Sequence, residues 1–223
     1  MHPLASEGMT QAEFLRSTKA AYDKVAEDYT ELARTELATK PLDRAVLATF
    51  AELVGMSGPI ADVGCGPGHV TIHLDSLGVK VFGIDLSPQM IATARREHPH
   101  LQFDVGSMTA LDLTDESLGG LLSWYSLIHI PPEHQPAVIA EFHRVIAPGG
   151  YLLLAFQVGD ERRHVTQAYR HEISLDAYRL LPERIAGLLT DAGFLMYSRT
   201  VRQPGPNEKV PQAYLIAKKP TAE

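Results

Sequence analysis

The chain has 223 residues, of which 45% are hydrophobic and 21% charged, a balance typical of a folded protein with a sizeable core. Acidic residues outnumber basic ones by 27 to 20, and the formal net charge of -7 argues against nucleic acid as the main partner. Cys65 is the single cysteine, which excludes an internal disulfide, and no signal-peptide pattern or membrane-length apolar run is present. We therefore expect a cytoplasmic protein, a monomer or weak homodimer, with no nucleic-acid or membrane partner.

The N-terminal segment, residues 1–55, predicts a helical cap. Thr10 and Glu13 have the spacing of a capping box, and apolar residues follow at helical intervals. In "AYDKVAEDY", Tyr22 and Tyr29 are seven residues apart and so share one face of the predicted helix. A second helix is predicted to begin at Pro41 and to stop at Gly55.

The remainder of the chain, residues 56–223, alternates strand-like and helical segments. The predicted strands are, in order, "PIADV", "VKVFGI", "LQFDV", "LGGLLSWY", "YLLLAFQV", "FLMYSRTV" and "QAYLIAKK". Alternation of this kind predicts βαβ units and a parallel sheet. Only a turn-rich loop separates the last two strands, so they are predicted to form an antiparallel C-terminal hairpin. The fold class is therefore α/β, with a mostly parallel sheet.

One segment, at about residues 159–181, breaks the alternation. It is rich in basic and aromatic side chains, and we predict an irregular insert that lies over the carboxyl end of the sheet as a lid. Two interpretations stay open: its side chains meet an anionic or aromatic ligand, or they form a solvated, salt-bridged cover. The side chains concerned are Arg162, Arg163, His164, Tyr169, Arg170 and His171.

The stretch "IADVGCGPGHV", residues 60–70, places three glycines and a proline directly behind the first predicted strand. Glycine permits positive φ angles and a close approach of backbone to a ligand, so we expect the main-chain amides there to hold one. The next strand ends in Asp85, the position of a carboxylate that accepts ribose hydroxyls. Asp62 would repel a pyrophosphate and suits a ligand with a cationic end. The competing interpretation is an ordinary turn followed by a helix-capping Asp85.

Four segments carry a resemblance to a known family: "ADVGCGPG", "GIDLSPQMIATAR", "SLIHIPPE" and "VIAPGGYLLLAF". Together they resemble the class I S-adenosylmethionine (SAM)-dependent methyltransferases, in particular the small-molecule branch of type 11/25 with a helical N-terminal cap. The resemblance runs from about Tyr22 to Gly193. It implies a Rossmann-like, seven-stranded sheet with SAM lying across the strand tips. The implied reaction moves a methyl group to an O, N or C atom of a small metabolite and leaves S-adenosylhomocysteine.

Two other functions stay open beside this one. The first is a nicotinamide-dependent oxidoreductase on the same kind of sheet, against which the glycine pattern and Asp62 argue. The second is a protein of the same fold that binds SAM without transferring its methyl group.

The resemblance assigns cofactor contacts along the whole edge of the sheet. The positions assigned to SAM are Tyr22, Tyr29, Asp62, Gly64, Cys65, Gly66, Asp85, Leu86, Met90, Gly106, Ser107, Met108, Ser123 and Trp124. Asp62 would lie near the ammonium group and Asp85 would accept both ribose hydroxyls. Ser107 stands where the family often has an adenine-binding Asp, so the adenine contact passes to its hydroxyl or to the backbone at Met108.

The acceptor side is represented by "SLIHIPPEH", which follows the fourth predicted strand. His129 is predicted to face the open mouth of the site as a base or an acceptor-orienting residue, because His titrates near neutral pH. The alternative is a histidine that only packs against its loop. Tyr125 is likewise predicted to line the pocket, with packing alone as the alternative. The ten histidines show no metal-type spacing, so no metal is predicted.

Overall fold

A computed structural model of the chain describes residues 10–221. The helices in that range are α1 (Gln11–Glu36), α2 (Pro41–Val54), α3 (His69–Ser76), α4 (Pro88–Glu97), α5 (Gln135–Val145) and α6 (Pro182–Asp191). The strands are β1 (Ile60–Val63), β2 (Val81–Asp85), β3 (Phe103–Val105), β4 (Leu118–Trp124), β5 (Ile146–Gln157), β6 (Arg162–Ala168), β7 (His171–Tyr178), β8 (Leu195–Arg202) and β9 (Gln212–Lys218).

Helix ends follow the capping residues of the sequence. The Glu13 carboxylate accepts a hydrogen bond from the Thr10 backbone N–H at 2.9 Å, which confirms the capping box at the start of α1. Pro41 occupies the first turn of α2, and Gly55 ends that helix with φ of +51°. At α4 the Ser87 hydroxyl accepts from the Met90 N–H at 3.1 Å, which fixes the helix start directly behind β2.

Seven strands form one sheet in the order β3-β2-β1-β4-β5-β9-β8. Strands β1 to β5 are parallel to their neighbours, and β9 runs antiparallel to both β5 and β8. The α/β class, the mostly parallel sheet and the antiparallel C-terminal hairpin are therefore confirmed. The strand order reverses beside β1, where the chain proceeds outward to β2 on one side and β4 on the other. In open sheets of this kind the ligand site lies at the carboxyl ends of the strands at that point.

Both faces of the sheet are covered by helices. Leu121 and Leu152 belong to an apolar cluster with α5 and α6, whereas Leu122 and Leu153 belong to a cluster with α2 and α3. Successive strand residues point to opposite faces, so each central strand is buried on both sides. This explains why β4 reads as a continuous apolar run rather than an alternating one.

The insert differs from its prediction. It is not irregular, because β6 and β7 form a two-stranded antiparallel ribbon with Arg162 opposite Tyr178 and Ala168 opposite His171. The ribbon contacts α1 and the short 3₁₀ turn at Leu127–His129. Most of its side chains are exposed or half-buried, so no apolar alternation marks the strands in the sequence.

Helix α2 shares its apolar cluster with strands of the sheet, through Phe50 and Val54 among others. The predicted division into a cap of residues 1–55 and a core of residues 56–223 stays a prediction, and residues 1–9 and 222–223 lie outside the described range.

Among residues 10–221, no helix has the combined length and apolar character that crossing a bilayer requires.

Candidate active site

The glycine loop joins β1 to α3 and lies at the reversal point of the sheet. Gly64, Gly66 and Gly68 have φ angles of +82°, +55° and +85°, a region in which side chains with a Cβ are strained. At Gly64 a Cβ would also lie 2.2 Å from the Ser126 Cβ, so this position has no room for any side chain. The glycines are therefore required by backbone geometry and by the close packing of the loop against the segment after β4.

The main-chain amides of the loop are bonded within the protein. Those of Gly64 and Cys65 donate to the Ile84 carbonyl at 2.7 and 3.1 Å, and that of Gly66 donates to Asp85 Oδ2 at 2.8 Å. Each of these three amides has an acceptor in the neighbouring strand or at its end, and the expectation that the loop amides hold a ligand stays a prediction. The loop ties the tips of β1 and β2 together and keeps side chains out of the space above them.

Asp85 ends β2 and is held in a fixed orientation. Its Oδ1 accepts from the Ser87 N–H and its Oδ2 from the Gly66 N–H, both at 2.8 Å. Each carboxylate oxygen keeps a further lone pair for a ligand hydroxyl. Burial is the largest influence on the carboxyl and raises its pKa to about 6 despite these hydrogen bonds.

Asp62, in β1, carries an unpaired buried oxygen. Its Oδ2 accepts from the Thr71 hydroxyl at 2.7 Å, whereas its Oδ1 is buried and has no hydrogen-bond partner among residues 10–221. The side chain is 1% exposed, and this burial raises the pKa of Asp62 to about 6. A buried carboxylate oxygen without a donor is costly, and a cationic ammonium group would satisfy it.

Tyr22 and Tyr29 lie on the same face of α1, as their spacing predicted, with ring centroids 6.2 Å apart in an edge-on arrangement. The Tyr22 hydroxyl is 2.7 Å from His129 Nε2, and the Tyr29 ring packs edge-on against Tyr169 of the insert at 5.6 Å. Helix α1 thus lies across the strand tips and closes the site from above.

His129 is buried, and both of its ring nitrogens are engaged. Its Nδ1 lies 3.0 Å from the Asp176 carbonyl oxygen, an acceptor only, so Nδ1 carries the proton and Nε2 accepts from the Tyr22 hydroxyl. Burial lowers the pKa of His129, which favours this neutral form. The imidazole lies on the wall of the site as predicted, but it meets Tyr22 rather than an open mouth.

A first cavity is bounded by these residues. Of the positions assigned to SAM in the sequence, its wall contains Tyr22, Tyr29, Asp62, Gly64, Cys65, Gly66, Asp85, Leu86, Gly106, Ser107, Met108 and Trp124, together with His129. The Ser107 hydroxyl is bonded to Thr109 Oγ1 at 2.8 Å, and in the backbone of this segment the Gly106 N–H donates to the Asp85 carbonyl at 2.9 Å.

Two assigned residues do not reach this wall. Met90 is fully buried and packs in α4 against Val25 and Ala26 of α1, in a cluster that Tyr22 and Tyr29 also contact. Ser123 is buried in β4, and its hydroxyl donates to Ser126 Oγ, which in turn donates to the Val63 carbonyl. Met90 is therefore occupied in helix packing and Ser123 in a hydrogen bond to Ser126, and neither side chain lines the cavity.

Several wall residues were not predicted from the sequence. The start of α1 contributes Phe14, Leu15, Thr18 and Lys19, and the sheet side contributes His69, Val70, Ser87, Ser126 and Ile130. Leu15 precedes Tyr22 by the same seven-residue step that separates Tyr22 from Tyr29. Extending that helical face toward the N-terminus would have identified it.

A second cavity, of about 540 Å³, adjoins the first. The residues common to both walls are Tyr22, Tyr29, His69, Trp124 and Tyr125. Tyr125 has φ of +52°, an uncommon value for a residue with a side chain, and it follows β4 directly. The rest of this wall comes from the second half of α1, the ribbon and the loop before β9. Across residues 10–221, no group of three or more His, Cys, Asp or Glu side chains is arranged to hold a metal ion.

The sequence and the fold were compared with known proteins. A family described as "Methyltransferase domain" matches residues 60–150, the segment from β1 into β5. The chain is 28% identical over 220 residues to demethylmenaquinone methyltransferase of Chlorobaculum tepidum, covering 96% of this chain and 86% of that one. It is 30% identical over 152 residues to demethylmenaquinone methyltransferase of Chlorobaculum parvum, of whose length it spans only 61%.

Among solved structures, 1,6-didemethyltoxoflavin-N1-methyltransferase of Burkholderia thailandensis, with bound S-adenosylhomocysteine, has the same fold. The TM-score is 0.74 at 18% identity, over 98% of this chain and 94% of that one. The chain thus carries a match to a methyltransferase domain from β1 into β5 and shares its overall fold with a solved methyltransferase. The first cavity offers a buried carboxylate oxygen on Asp62 that has no partner within residues 10–221, and an oriented second carboxylate on Asp85. The nicotinamide alternative gains no support from these comparisons.

Proposed function

We propose that the chain is a class I SAM-dependent methyltransferase, which binds SAM in the first cavity and transfers its methyl group to a small molecule in the second. One observation carries the proposal: two carboxylates lie near the carboxyl ends of neighbouring strands. Asp62 is buried with an oxygen that has no partner within residues 10–221, and Asp85 is half-buried and fixed by two backbone N–H groups. Such a pair matches a ligand with an ammonium group at one end and a ribose diol in its middle.

On this proposal Asp62 binds the ammonium group and Asp85 accepts the two ribose hydroxyls. Leu86 packs beside the sugar, and the segment Gly106–Met108 binds the adenine mainly through its backbone, because the Ser107 hydroxyl is engaged with Thr109. Gly64 and Gly66 leave the space above the strand tips free of side chains. Tyr22, Tyr29 and Trp124 separate the cofactor from the acceptor.

Bound SAM supplies an electrophilic methyl group, so the protein has to orient the acceptor and exclude water. Tyr22 and Tyr125 lie on both cavities, at the place where such an acceptor atom would meet the cofactor. If that atom carries a proton, the Tyr22 hydroxyl accepts it while passing its own proton to His129 Nε2. The Asp176 carbonyl, bonded to Nδ1–H, stabilises the imidazolium that results. His129→Gln should therefore slow turnover and leave SAM affinity unchanged.

A small-molecule acceptor is supported by the second cavity, whose volume of about 540 Å³ lies within the range of ligand pockets. The net charge of -7 disfavours nucleic acid as the acceptor. Among the similar proteins, demethylmenaquinone methyltransferase and 1,6-didemethyltoxoflavin-N1-methyltransferase are named for small molecules. A cytoplasmic location and a monomeric or weakly dimeric state are parts of the same proposal, and sedimentation velocity tests the second.

Calorimetric titration with SAM tests the cofactor site. Asp85→Asn and Asp62→Asn should each weaken binding by about ten- to a hundredfold, since hydrogen bonds to charged groups contribute about 1.5–3 kcal/mol. Asp104→Asn is the matched control: its carboxylate is half-exposed in β3, beside Arg95, and off the cavity wall. Absence of SAM binding by the wild type, or unchanged affinity in both test variants, would contradict the proposal. SAM binding without S-adenosylhomocysteine release from any acceptor would favour the non-transferring alternative.

A further inference from the structure

The β6–β7 ribbon turns one face toward the second cavity. Arg163 lies opposite Ala177, and the Arg179 backbone N–H donates to the Glu161 carbonyl just beyond. Opposed residues of an antiparallel pair point to the same side and the sides alternate along each strand, so Arg163 and Arg179 share a face. Both side chains are on the wall of the second cavity, and neither is on the wall of the first.

On the other face of the ribbon, basic side chains are paired with a carboxylate. Arg162 and His164 point there, and they bond to the two oxygens of Asp176 at 2.8 and 2.9 Å. The sequence left open whether the basic side chains of the insert contact a ligand or form a salt-bridged cover, and in the structure some line a cavity while others are salt-bridged. Arg162 and His164 form a salt-bridged cover, whereas Arg163 remains directed at the cavity.

Arg179 has unused donor capacity. Its Nη1 donates to Glu161 Oε1 at 2.7 Å, while its Nε is buried and has no hydrogen-bond partner within residues 10–221. The side chain is only 13% exposed, so water has little access to it. A guanidinium N–H buried without an acceptor is unfavourable, and a planar anion is the acceptor that the fork geometry fits best.

The charges around the second cavity leave positive charge in excess. Its wall carries four basic side chains, Lys40, Arg163, Arg179 and Lys209, against two carboxylates, Glu36 and Glu208. Lys40 lies 2.6 Å from Glu36 and 3.7 Å from Glu208, and Glu208 is also paired with Arg202. Both carboxylates are thus neutralised within the protein. Arg163 and Lys209 have no ion-pair partner in the described part of the chain.

The side of the second cavity that adjoins the first is aromatic. Tyr29, Trp124 and Tyr125 line it, and Tyr169 at the tip of the ribbon packs edge-on against Tyr29 at 5.6 Å. Rings arranged in this way favour a flat or apolar body rather than a fully polar one. The cavity therefore has an aromatic side next to the cofactor and a basic side away from it.

We propose that the methyl acceptor carries an anionic group, a carboxylate or a phosphate, that Arg179 and Arg163 bind. The proposal rests on the proposed function, because it assigns the second cavity to the acceptor. The anion serves recognition, while the methylated atom belongs to the body of the molecule, between the aromatic side chains and beside Tyr22.

The test uses the protein saturated with S-adenosylhomocysteine and two series of probes that differ only in one group. The first series is 2-naphthoate, 2-naphthyl phosphate and neutral 2-naphthamide, and the second is benzoate, phenyl phosphate and benzamide. Calorimetry should show at least one anion binding about tenfold or more tightly than its amide, because charge-assisted hydrogen bonds are lost in the amide. A preference for naphthoate and benzoate identifies a carboxylate site, and a preference for the phosphates identifies a phosphate site.

Arg179→Met should reduce the affinity for the preferred anion to that for the amide and leave amide and SAM affinities unchanged. Arg199→Met is the control, since Arg199 also makes one ion pair, with Glu183 at 3.1 Å, but lies in β8 off both cavities. The proposal is overturned if no anion binds, if the amides bind as well as the anions, or if Arg179→Met changes nothing. SAM titration of the same preparations separates this failure from failure of the proposed function.

Discussion

The two cavities are assembled in different ways. Four short segments behind consecutive strands build most of the first, and the Asp85 carboxylate, the Gly66 N–H and the Ser126 hydroxyl are hydrogen-bonded to one another or to the strand tips. The second draws on α1, the ribbon and the loop before β9. Within the described residues it keeps a buried arginine N–H without an acceptor and two cations, Arg163 and Lys209, without an ion-pair partner. The comparison suggests that the cofactor side is fixed by local geometry, whereas the acceptor side is defined by the groups it leaves unpaired.

The largest expected effect comes from breaking the rigidity of the first cavity. Gly64→Ala would place a Cβ 2.2 Å from the Ser126 Cβ at a residue with φ of +82°. Overpacking and backbone strain together should lower the free energy of unfolding by about 3 kcal/mol or more, measured by urea denaturation.

Gly78→Ala separates the two contributions. Gly78 has nearly the same φ, +83°, but nothing lies within 4 Å of its added Cβ. It should cost only about 1–2 kcal/mol, the strain of the left-handed region alone. Equal losses in both variants would show that Ser126 does not constrain the loop.

The second effect is a pH dependence of SAM affinity. Burial raises the pKa of both Asp62 and Asp85 to about 6, and SAM requires the ionised carboxylates. Affinity should therefore be highest above pH 6 and fall as pH decreases through it, by about tenfold between pH 7 and pH 5 for each carboxylate. Calorimetry across this range measures it, and Asp85→Asn should flatten the curve. A flat wild-type curve would contradict the assignment of both groups.

A smaller effect is expected at the wall between the cavities. Tyr22→Phe leaves the buried His129 Nε2 without its donor and should reduce the free energy of unfolding by about 1–3 kcal/mol. A double-mutant cycle with His129→Leu should give a coupling of about 1 kcal/mol. Tyr29→Phe is the matched control, because no hydrogen bond of the Tyr29 hydroxyl to residues 10–221 is present. Additivity of Tyr22→Phe and His129→Leu would mean that the pair does not act as a unit.

The smallest effect concerns a residue that the sequence placed in the first cavity and the structure does not. Met90→Leu conserves volume in the packing between α4 and α1 and should change SAM affinity by less than about twofold. A large loss of affinity without a loss of stability would return Met90 to the cofactor site.

Much of the fold is predictable from the sequence because each element carries a local signal. Pro41 and Gly55 bound α2, and β4 is an unbroken apolar run because it is buried on both faces. The ribbon escapes prediction as regular structure because neither of its faces enters the core. Without burial there is no apolar period, even though its backbone hydrogen bonds are regular.

In the site, too, a position could be predicted from the sequence only where a local signal marks it. Asp62 and Asp85 follow from being at strand ends beside a turn that only glycine can make. Met90 and Ser123 do not, since which side of a helix or strand faces a cavity depends on partners far away in sequence. Arg179 was not singled out, because its significance is a missing partner in three dimensions.

Trp124 is the single tryptophan of the chain and lies on the wall common to both cavities. Its indole packs against Tyr125 and Tyr214, with ring centroids 5.7 and 5.5 Å away, so its surroundings are well defined before any ligand arrives. One intrinsic fluorophore thus lies next to both ligand positions. Emission at a single wavelength should register the arrival of either compound, and stopped-flow mixing in both orders would reveal which one enters first.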